Sequence, residues 1–120
     1  MSAEVEVRVT SATGGEKGQK ASQLSTVDPL ALRHLGEVSG FGAKKYSSFN
    51  FLKGYDWALS VDALQRHLLS FWAGEDKDPE SGLLHVTHAA WHGLALTSFQ
   101  LRGVGEDTRF RQEVEAFYGD

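Results

Sequence analysis

The fold is decided by residues 61–101, which read VDALQRHLLSFWAGEDKDPESGLLHVTHAAWHGLALTSFQL. Apolar side chains recur there at helical spacing on both sides of a short acidic turn bounded by Gly74 and Gly82. Two helices joined by so short a connection pack naturally as an antiparallel pair. The sequence therefore predicts a mainly α fold, a small helical bundle built on an antiparallel helical hairpin.

The helix before the acidic turn is predicted to begin at Asp56 or Ser60 and to end at Gly74. One side of it carries apolar residues at intervals of three and four, as expected of a stripe that packs on a neighbouring helix. This predicted stripe consists of Val61, Leu64, Leu68, Phe71 and Trp72.

The helix after the turn is predicted to begin with Asp78 as N-cap and Pro79 at its first position, and to end at Gly103. Its aliphatic residues are expected to face the preceding helix. They are Leu83, Val86, Ala90, Leu94 and Leu101.

The first part of the chain is less regular. Residues 1–10 alternate between apolar and polar side chains, which predicts one short strand or an arm lying on a partner subunit. Residues 11–27 are rich in Gly, Ser, Thr and Lys and are predicted to form a loop. A first helix is expected to begin at Asp28-Pro29 and to stop near Gly40 or Gly42.

A short fourth helix is predicted over residues 106–118. The chain is then one domain, 1–120, with an arm and Gly/Lys loop at 1–27 and a helical core at 28–118. Because a two-helix hairpin offers only a small core, we expect a homo-oligomer to complete the bundle.

Composition excludes several classes of function. The 120 residues include no cysteine, which rules out thiolate zinc sites and cysteine nucleophiles. A net charge of −4 argues against long nucleic acid as a ligand, whereas a small phosphorylated ligand needs only a few local cations. No apolar run approaches the roughly 20 residues of a membrane span, and the acidic N-terminus lacks a signal-peptide core. We expect a cytoplasmic protein without membrane contact.

Two constellations combine lysines with residues suited to a nucleotide. Residues 13–20 place Lys17 and Lys20 among glycines, which suits either a phosphate cradle or a flexible loop. Further on, cations alternate with aromatic rings, as in sites where a ring stacks on a base while lysines meet phosphate. A packed loop with lysines reaching to water is the alternative. The residues concerned are Lys44, Lys45, Tyr46 and Trp57.

A third constellation joins the acidic turn to a histidine face. Four carboxylates are numerous enough for a magnesium site: Glu75, Asp76, Asp78 and Glu80. His85, His88 and His92 follow at helical spacing and share one face, and His67 would return to it in a hairpin. These histidines could be metal ligands, phosphate donors or general bases. The alternative is a solvated, capped turn beside buried structural histidines.

The same segments carry a resemblance to a known family. The chain resembles the N-terminal domains of phage dATP/dGTP diphosphohydrolases, which are similar to nucleotide pyrophosphohydrolases of the all-α MazG type. The resemblance covers residues 12 to 101 and is most specific in the acidic turn with its flanking histidines. It rests on 13–18 (TGGEKG), 42–46 (GAKKY), 54–57 (GYDW), Arg66-His67 and 74–82 (GEDKDPESG).

The resemblance implies a phage protein, in the cytoplasm of an infected bacterial host, that cleaves purine deoxynucleoside triphosphates to monophosphate and pyrophosphate with magnesium. Arg66 and the four lysines would then hold phosphates, with Tyr46 and Trp57 beside the nucleotide. The acidic turn would hold the metal through Glu75, Asp76, Asp78 and Glu80. The imidazoles of His67, His85 and His88 would orient water or donate to phosphate.

A second hypothesis belongs to another class. The same phosphate-binding surface would serve a sponge that sequesters a host immune signalling nucleotide without turnover. Such a protein needs a cationic pocket but no metal. The predicted helices lack the Glu-Glu-x-x-Glu and Glu-x-x-Asp pairs that hold metal ions in MazG-type enzymes, which favours this hypothesis.

Overall fold

The structure, a computed structural model, describes residues 5–111. Three helices dominate it, so the predicted mainly α class is confirmed. It divides into two compact units with a boundary between Arg33 and His34. In chain order the elements are β1 (Glu6–Thr10), β2 (Glu16–Lys20), α1 (Pro29–Lys45), α2 (Trp57–Trp72) and α3 (His85–Arg102), with short 3₁₀ turns at Leu24–Thr26 and Asn50–Lys53.

The N-terminal unit contains an antiparallel hairpin. β1 pairs with β2 so that Glu6 lies opposite Lys20 and Thr10 lies opposite Glu16. Between the strands, the backbone N–H of Gly15 donates to Ser11 Oγ at 2.9 Å and closes the turn. The prediction of a loop throughout residues 11–27 therefore missed β2. The reason is that β2 is stabilised by backbone hydrogen bonds to β1, and a segment rich in Gly and Lys has a low strand propensity by itself.

The antiparallel hairpin of α2 and α3 forms the centre of the C-terminal unit. Ser60 contacts His92, and His67, two turns later on α2, contacts His85, two turns earlier on α3. This reversed order shows that the two helices run antiparallel, as predicted. At its N-terminus α2 is capped by Asp56, whose side chain accepts from the backbone N–H of Ala58 at 2.9 Å.

An aromatic cluster closes one end of this hairpin. Phe99 is completely buried, and its ring meets the edge of the Tyr55 ring at 5.0 Å. Trp57 stacks against Phe99 and donates its indole N–H to the carbonyl of Val104 at 3.0 Å. These contacts hold the chain beyond α3 against the start of α2.

The acidic turn folds differently from its prediction. α3 begins at His85 with Leu84 as N-cap, so Asp78 is not the helix cap. The Asp78 carboxylate instead accepts hydrogen bonds from the backbone and the hydroxyl of Ser81. A β-bridge between Lys77 and Leu84 keeps this segment extended at its two ends, and Gly82, with a φ of 71°, closes the turn between them.

The buried face of α3 also differs from the prediction. Val86, Leu94 and Leu101 are 41%, 51% and 74% exposed. The side of the helix that packs inward carries polar and small residues instead, because the polar ones find hydrogen-bond partners there. Its buried residues are His85, His88, Ala89, Ala95 and Phe99.

Two helix boundaries complete the comparison with the sequence. α1 continues past its predicted end near Gly40 or Gly42 as far as Lys45. Residues 106–111 of the predicted fourth helix are not helical, and its remainder, 112–118, lies outside the described residues. Within 5–111, no helix is long and apolar enough to cross a membrane.

Candidate active site

All five histidines of the sequence belong to the C-terminal unit, and four of them meet between α2 and α3. The spacing of His85, His88 and His92 aligns them on one face of α3. His67 projects from α2 into this face, stacking on the ring of His88 with centroids 4.5 Å apart. The same ring lies 5.1 Å from that of His85 and 6.4 Å from that of His92. We call these four residues the histidine cluster.

A metal-ligating group forms at one end of the histidine cluster. His67, Asp78 and His85 each point one ligand atom into a region where all three atoms lie within 4.8 Å of one another. The Nδ1 atoms of the two histidines are 2.9 Å apart. Asp78 comes from the acidic turn, so the group joins α2, the turn and α3.

The orientation of His85 is set by Glu75. Its Nε2 donates to the Glu75 carboxylate at 2.6 Å, although this glutamate lies ten residues earlier in the turn. Because a carboxylate only accepts hydrogen bonds, the neutral imidazole carries its proton on Nε2. The lone pair of Nδ1 is therefore directed toward His67.

His88 takes part in a second chain of hydrogen bonds. Its Nε2 lies 2.7 Å from the hydroxyl oxygen of Ser81, and that hydroxyl donates to Asp78 at 3.0 Å. With its proton given to Asp78, the Ser81 oxygen accepts from His88. In a serine nucleophile activated by histidine, the serine hydroxyl donates to the imidazole. Here the imidazole donates to the serine.

A third chain is buried under the far end of the cluster. Ser60 is completely buried, and its Oγ lies 2.9 Å from His92 Nδ1 and 2.6 Å from the hydroxyl oxygen of Tyr55. One consistent arrangement has Tyr55 donating to Ser60 and Ser60 donating to His92. This satisfies the buried hydroxyl and holds His92 in its neutral form.

Burial disfavours the charged form of three imidazoles of the cluster, those of His67, His88 and His92. Loss of hydration lowers the pKa of His67 and of His88, and it lowers the pKa of His92 to about 4. Burial would raise the pKa of Asp78, but its hydrogen bonds from Ser81 lower it below the ordinary value. Near pH 7 these imidazoles are neutral beside an ionised carboxylate.

Cations lie at the edge of the cluster. Arg66 is exposed on α2 beside His67, and its charge contributes to the lowered pKa of His67 and His92. At the other side, Lys45 forms an ion pair with Glu80 at 2.9 Å and lies 5.7 Å from the centre of the Tyr46 ring. Lys44 is exposed next to it.

The remaining predicted nucleotide-binding residues belong to other elements. Lys17 and Lys20 are exposed on β2, in the N-terminal unit. Trp57 belongs to the aromatic end of the hairpin, where Arg109 lies 5.2 Å from the centre of its ring.

Comparison with known proteins identifies the family of the chain. The model of a family described as "dATP/dGTP diphosphohydrolase, N-terminal" matches residues 11–109. The chain belongs to this family. A dATP/dGTP diphosphohydrolase of Salmonella phage PMBT28 is 35% identical over 104 residues, which cover 85% of this chain and 35% of the relative. The chain thus spans about a third of that relative. No solved structure matches.

The carboxylates of this diphosphohydrolase-family chain do not form a magnesium site of the predicted kind. Glu75 is engaged with His85, and Glu80 with Lys45. Asp76 is exposed and accepts a hydrogen bond from His85 N–H through its backbone carbonyl. Within residues 5–111 the group with converging ligand atoms offers two imidazole nitrogens and one carboxylate oxygen. Magnesium prefers an octahedron of oxygens, so this donor set does not fit it.

Sequence reasoning missed the hydroxyl groups of the site, those of Tyr55, Ser60 and Ser81. A signal for Ser60 was present, because Ser60 and His67 are seven residues apart on α2, as are His85 and His92 on α3. Two matching intervals of two helical turns place four polar side chains on one helix–helix interface.

Proposed function

We propose that the chain is the nucleotide-handling part of a phage dATP/dGTP diphosphohydrolase. It would convert dATP or dGTP into the monophosphate and pyrophosphate, in the cytoplasm of an infected bacterial host. The observation that carries the proposal is the group His67, Asp78 and His85, whose converging ligand atoms lie beside exposed cations in a member of this family. Buried polar clusters with lowered pKa values are typical of functional sites.

In the proposed reaction, water attacks the α-phosphorus. The new P–O bond forms as the bond from that phosphorus to the oxygen bridging to the β-phosphate breaks, and pyrophosphate leaves with the electron pair. Charge accumulates on the phosphate oxygens, so nearby cations lower the barrier. Arg66 and Lys45 would serve at the edge of the cluster, and the phosphate-binding roles of Lys17, Lys20 and Lys44 stay predictions.

The cluster would activate the attacking water. A neutral imidazole with a free lone pair can hold or accept the proton that water loses. The lone pair of His85 Nδ1 faces Nδ1 of His67 at 2.9 Å, so water would reach it only where that contact opens and no metal ion occupies it. Glu75 at Nε2 would then stabilise the positive charge that develops on the ring. His88 is committed to Ser81 through Nε2, so its role is to position Asp78 through that hydroxyl.

Product analysis tests the proposal. The purified chain is incubated with dATP or dGTP and a panel of divalent cations, and the nucleotides are separated by anion-exchange chromatography. We expect the monophosphate and pyrophosphate, formed at least ten times more slowly by Arg66→Gln. Arg102→Gln, which removes an exposed arginine at the far end of α3, is the matched control and should keep the activity. Tight binding with all nucleotide recovered intact would contradict hydrolysis and support the sponge hypothesis.

A further inference from the structure

We propose that His67, Asp78 and His85 bind one first-row transition-metal ion, with Zn²⁺ as the reference ion, in place of magnesium. The ion's use in nucleotide hydrolysis rests on the proposed function, whereas its binding does not. The three ligands come from α2, the acidic turn and α3, so a bound ion would join these three segments.

The spacing of the donor atoms supports an ion. Two nitrogens bound to a tetrahedral zinc at 2.0–2.1 Å lie about 3.3 Å apart. The Nδ1 atoms of His67 and His85 are 2.9 Å apart, and an Asp78 oxygen lies within 4.8 Å of one ring nitrogen of each. To bind one ion, the two nitrogens would separate by about 0.4 Å and the Asp78 oxygen would approach by up to about 1.5 Å. Without a cation, a proton must lie between the two nitrogens to make the contact favourable.

The proposed ligands are held by hydrogen-bond partners of the kind found around metal ligands in proteins. A histidine ligand commonly donates its other ring N–H to a carboxylate, which fixes the ring and its tautomer. Glu75 does this for His85 at 2.6 Å, and Ser81 holds Asp78 with two hydrogen bonds of 3.1 and 3.0 Å. Two of the three ligands are thus already oriented by partners outside the group.

The type of donor selects the type of ion. Two imidazoles with one carboxylate suit zinc, manganese, iron, cobalt or nickel, whereas magnesium and calcium favour oxygen ligands. His85 is buried, but His67 and Asp78 are only half-buried. This leaves one side of the group accessible, as in catalytic sites where water or a phosphate oxygen completes the coordination.

Metal titration tests the proposal directly. The full chain is freed of metal with a chelator and titrated with Zn²⁺ and, separately, Mg²⁺ by calorimetry, while Co²⁺ reports the ligand geometry by visible absorption. We expect one Zn²⁺ per chain and Mg²⁺ binding at least 100-fold weaker. His67→Gln and Asp78→Asn should each lower Zn²⁺ affinity at least 100-fold, and Glu75→Gln should lower it about 10- to 100-fold.

His92→Gln is the matched control, because it removes a histidine of the same cluster that is not a proposed ligand. Its Zn²⁺ affinity should stay within about threefold of the wild type. Thermal unfolding of the metal-free proteins shows which variants fold. Saturating Zn²⁺ should raise the Tm of the wild type by about 10 °C and leave that of His67→Gln unchanged.

Two results would overturn the proposal: a folded wild type that binds no Zn²⁺, or folded ligand variants that bind it as tightly as the wild type. The outcomes also separate the two proposals. Zn²⁺ binding without nucleotide hydrolysis would keep the metal site and remove the proposed function. Magnesium-dependent hydrolysis at an unchanged rate by folded His67→Gln would keep the function and show that this metal site takes no part in it.

Discussion

Three imidazoles of the histidine cluster are each oriented by a hydrogen bond to a particular neighbour. Glu75 holds a proton on Nε2 of His85, Ser81 accepts from Nε2 of His88, and Ser60 bonds to Nδ1 of His92. Burial disfavours adding a second proton to these rings. At the scale of the residue, loss of water therefore keeps His67, His88 and His92 neutral near pH 7, while specific hydrogen bonds orient the rings.

The lowered pKa of His92 predicts acid sensitivity of the fold. An unfolded histidine binds a proton near pH 6.5, whereas folded His92 binds one only near pH 4. Its contribution to stability is therefore complete above pH 6.5 and is lost as the pH falls toward 4. The full linkage is about 3 kcal/mol, which solvent screening of this partly exposed ring reduces to about 1–2 kcal/mol.

Urea unfolding from pH 7.5 to pH 4.5 measures this loss. His92→Gln, whose amide can still bond to Ser60, should lose about 1 kcal/mol less than the wild type over that interval. Equal losses in the two proteins would show that His92 is not the group responsible.

At the scale of the element, the start of α2 is held by a close backbone approach. Gly54 has a φ of 85°, and a Cβ built on it would lie 2.5 Å from the backbone N of Gly105. The Trp57 indole and a parallel bridge between Asp56 and Glu106 reinforce the same contact. The chain beyond α3 is thus locked to α2 where a side chain would not fit.

Gly54→Ala should consequently destabilise the fold by about 2–4 kcal/mol, from a strained φ together with the clash. Gly74→Ala is the matched control. Gly74 also has a positive φ, 99°, but a Cβ there meets nothing within 4 Å, so only the strain of about 1 kcal/mol is expected. Urea unfolding compares the two, and equal losses would show that the close approach adds nothing.

At the scale of the whole molecule, polar residues occupy the helix interface while large apolar ones face outward. Leu94 and Leu101, seven residues apart on the same side of α3, are 51% and 74% exposed. Exposed apolar surface of this kind favours association. We propose that a second copy of the chain covers it, in agreement with the oligomer expected from the small core.

Light scattering after size exclusion should therefore give about twice the 13.2 kDa of one chain. Combining Leu94→Glu with Leu101→Glu should give a monomer, since two charges cannot be buried at the interface without a large cost. Leu30→Glu is the control, because Leu30 is an exposed apolar residue of the N-terminal unit. A monomeric wild type would contradict this proposal.

The sequence by itself determined the helical hairpin, the family and the alignment of three histidines on one face, because helical periodicity and local caps act within a few residues. It did not determine which face of α3 turns inward. Apolar Val86 and Leu94 were the natural candidates, yet His85 and His88 are buried, since Glu75, Ser81 and His67 satisfy them. Burial of a polar group depends on partners that only the folded chain brings together. The tertiary structure therefore decided which residues of the acidic turn join the site: Asp78 beside the imidazoles and Glu75 behind one of them.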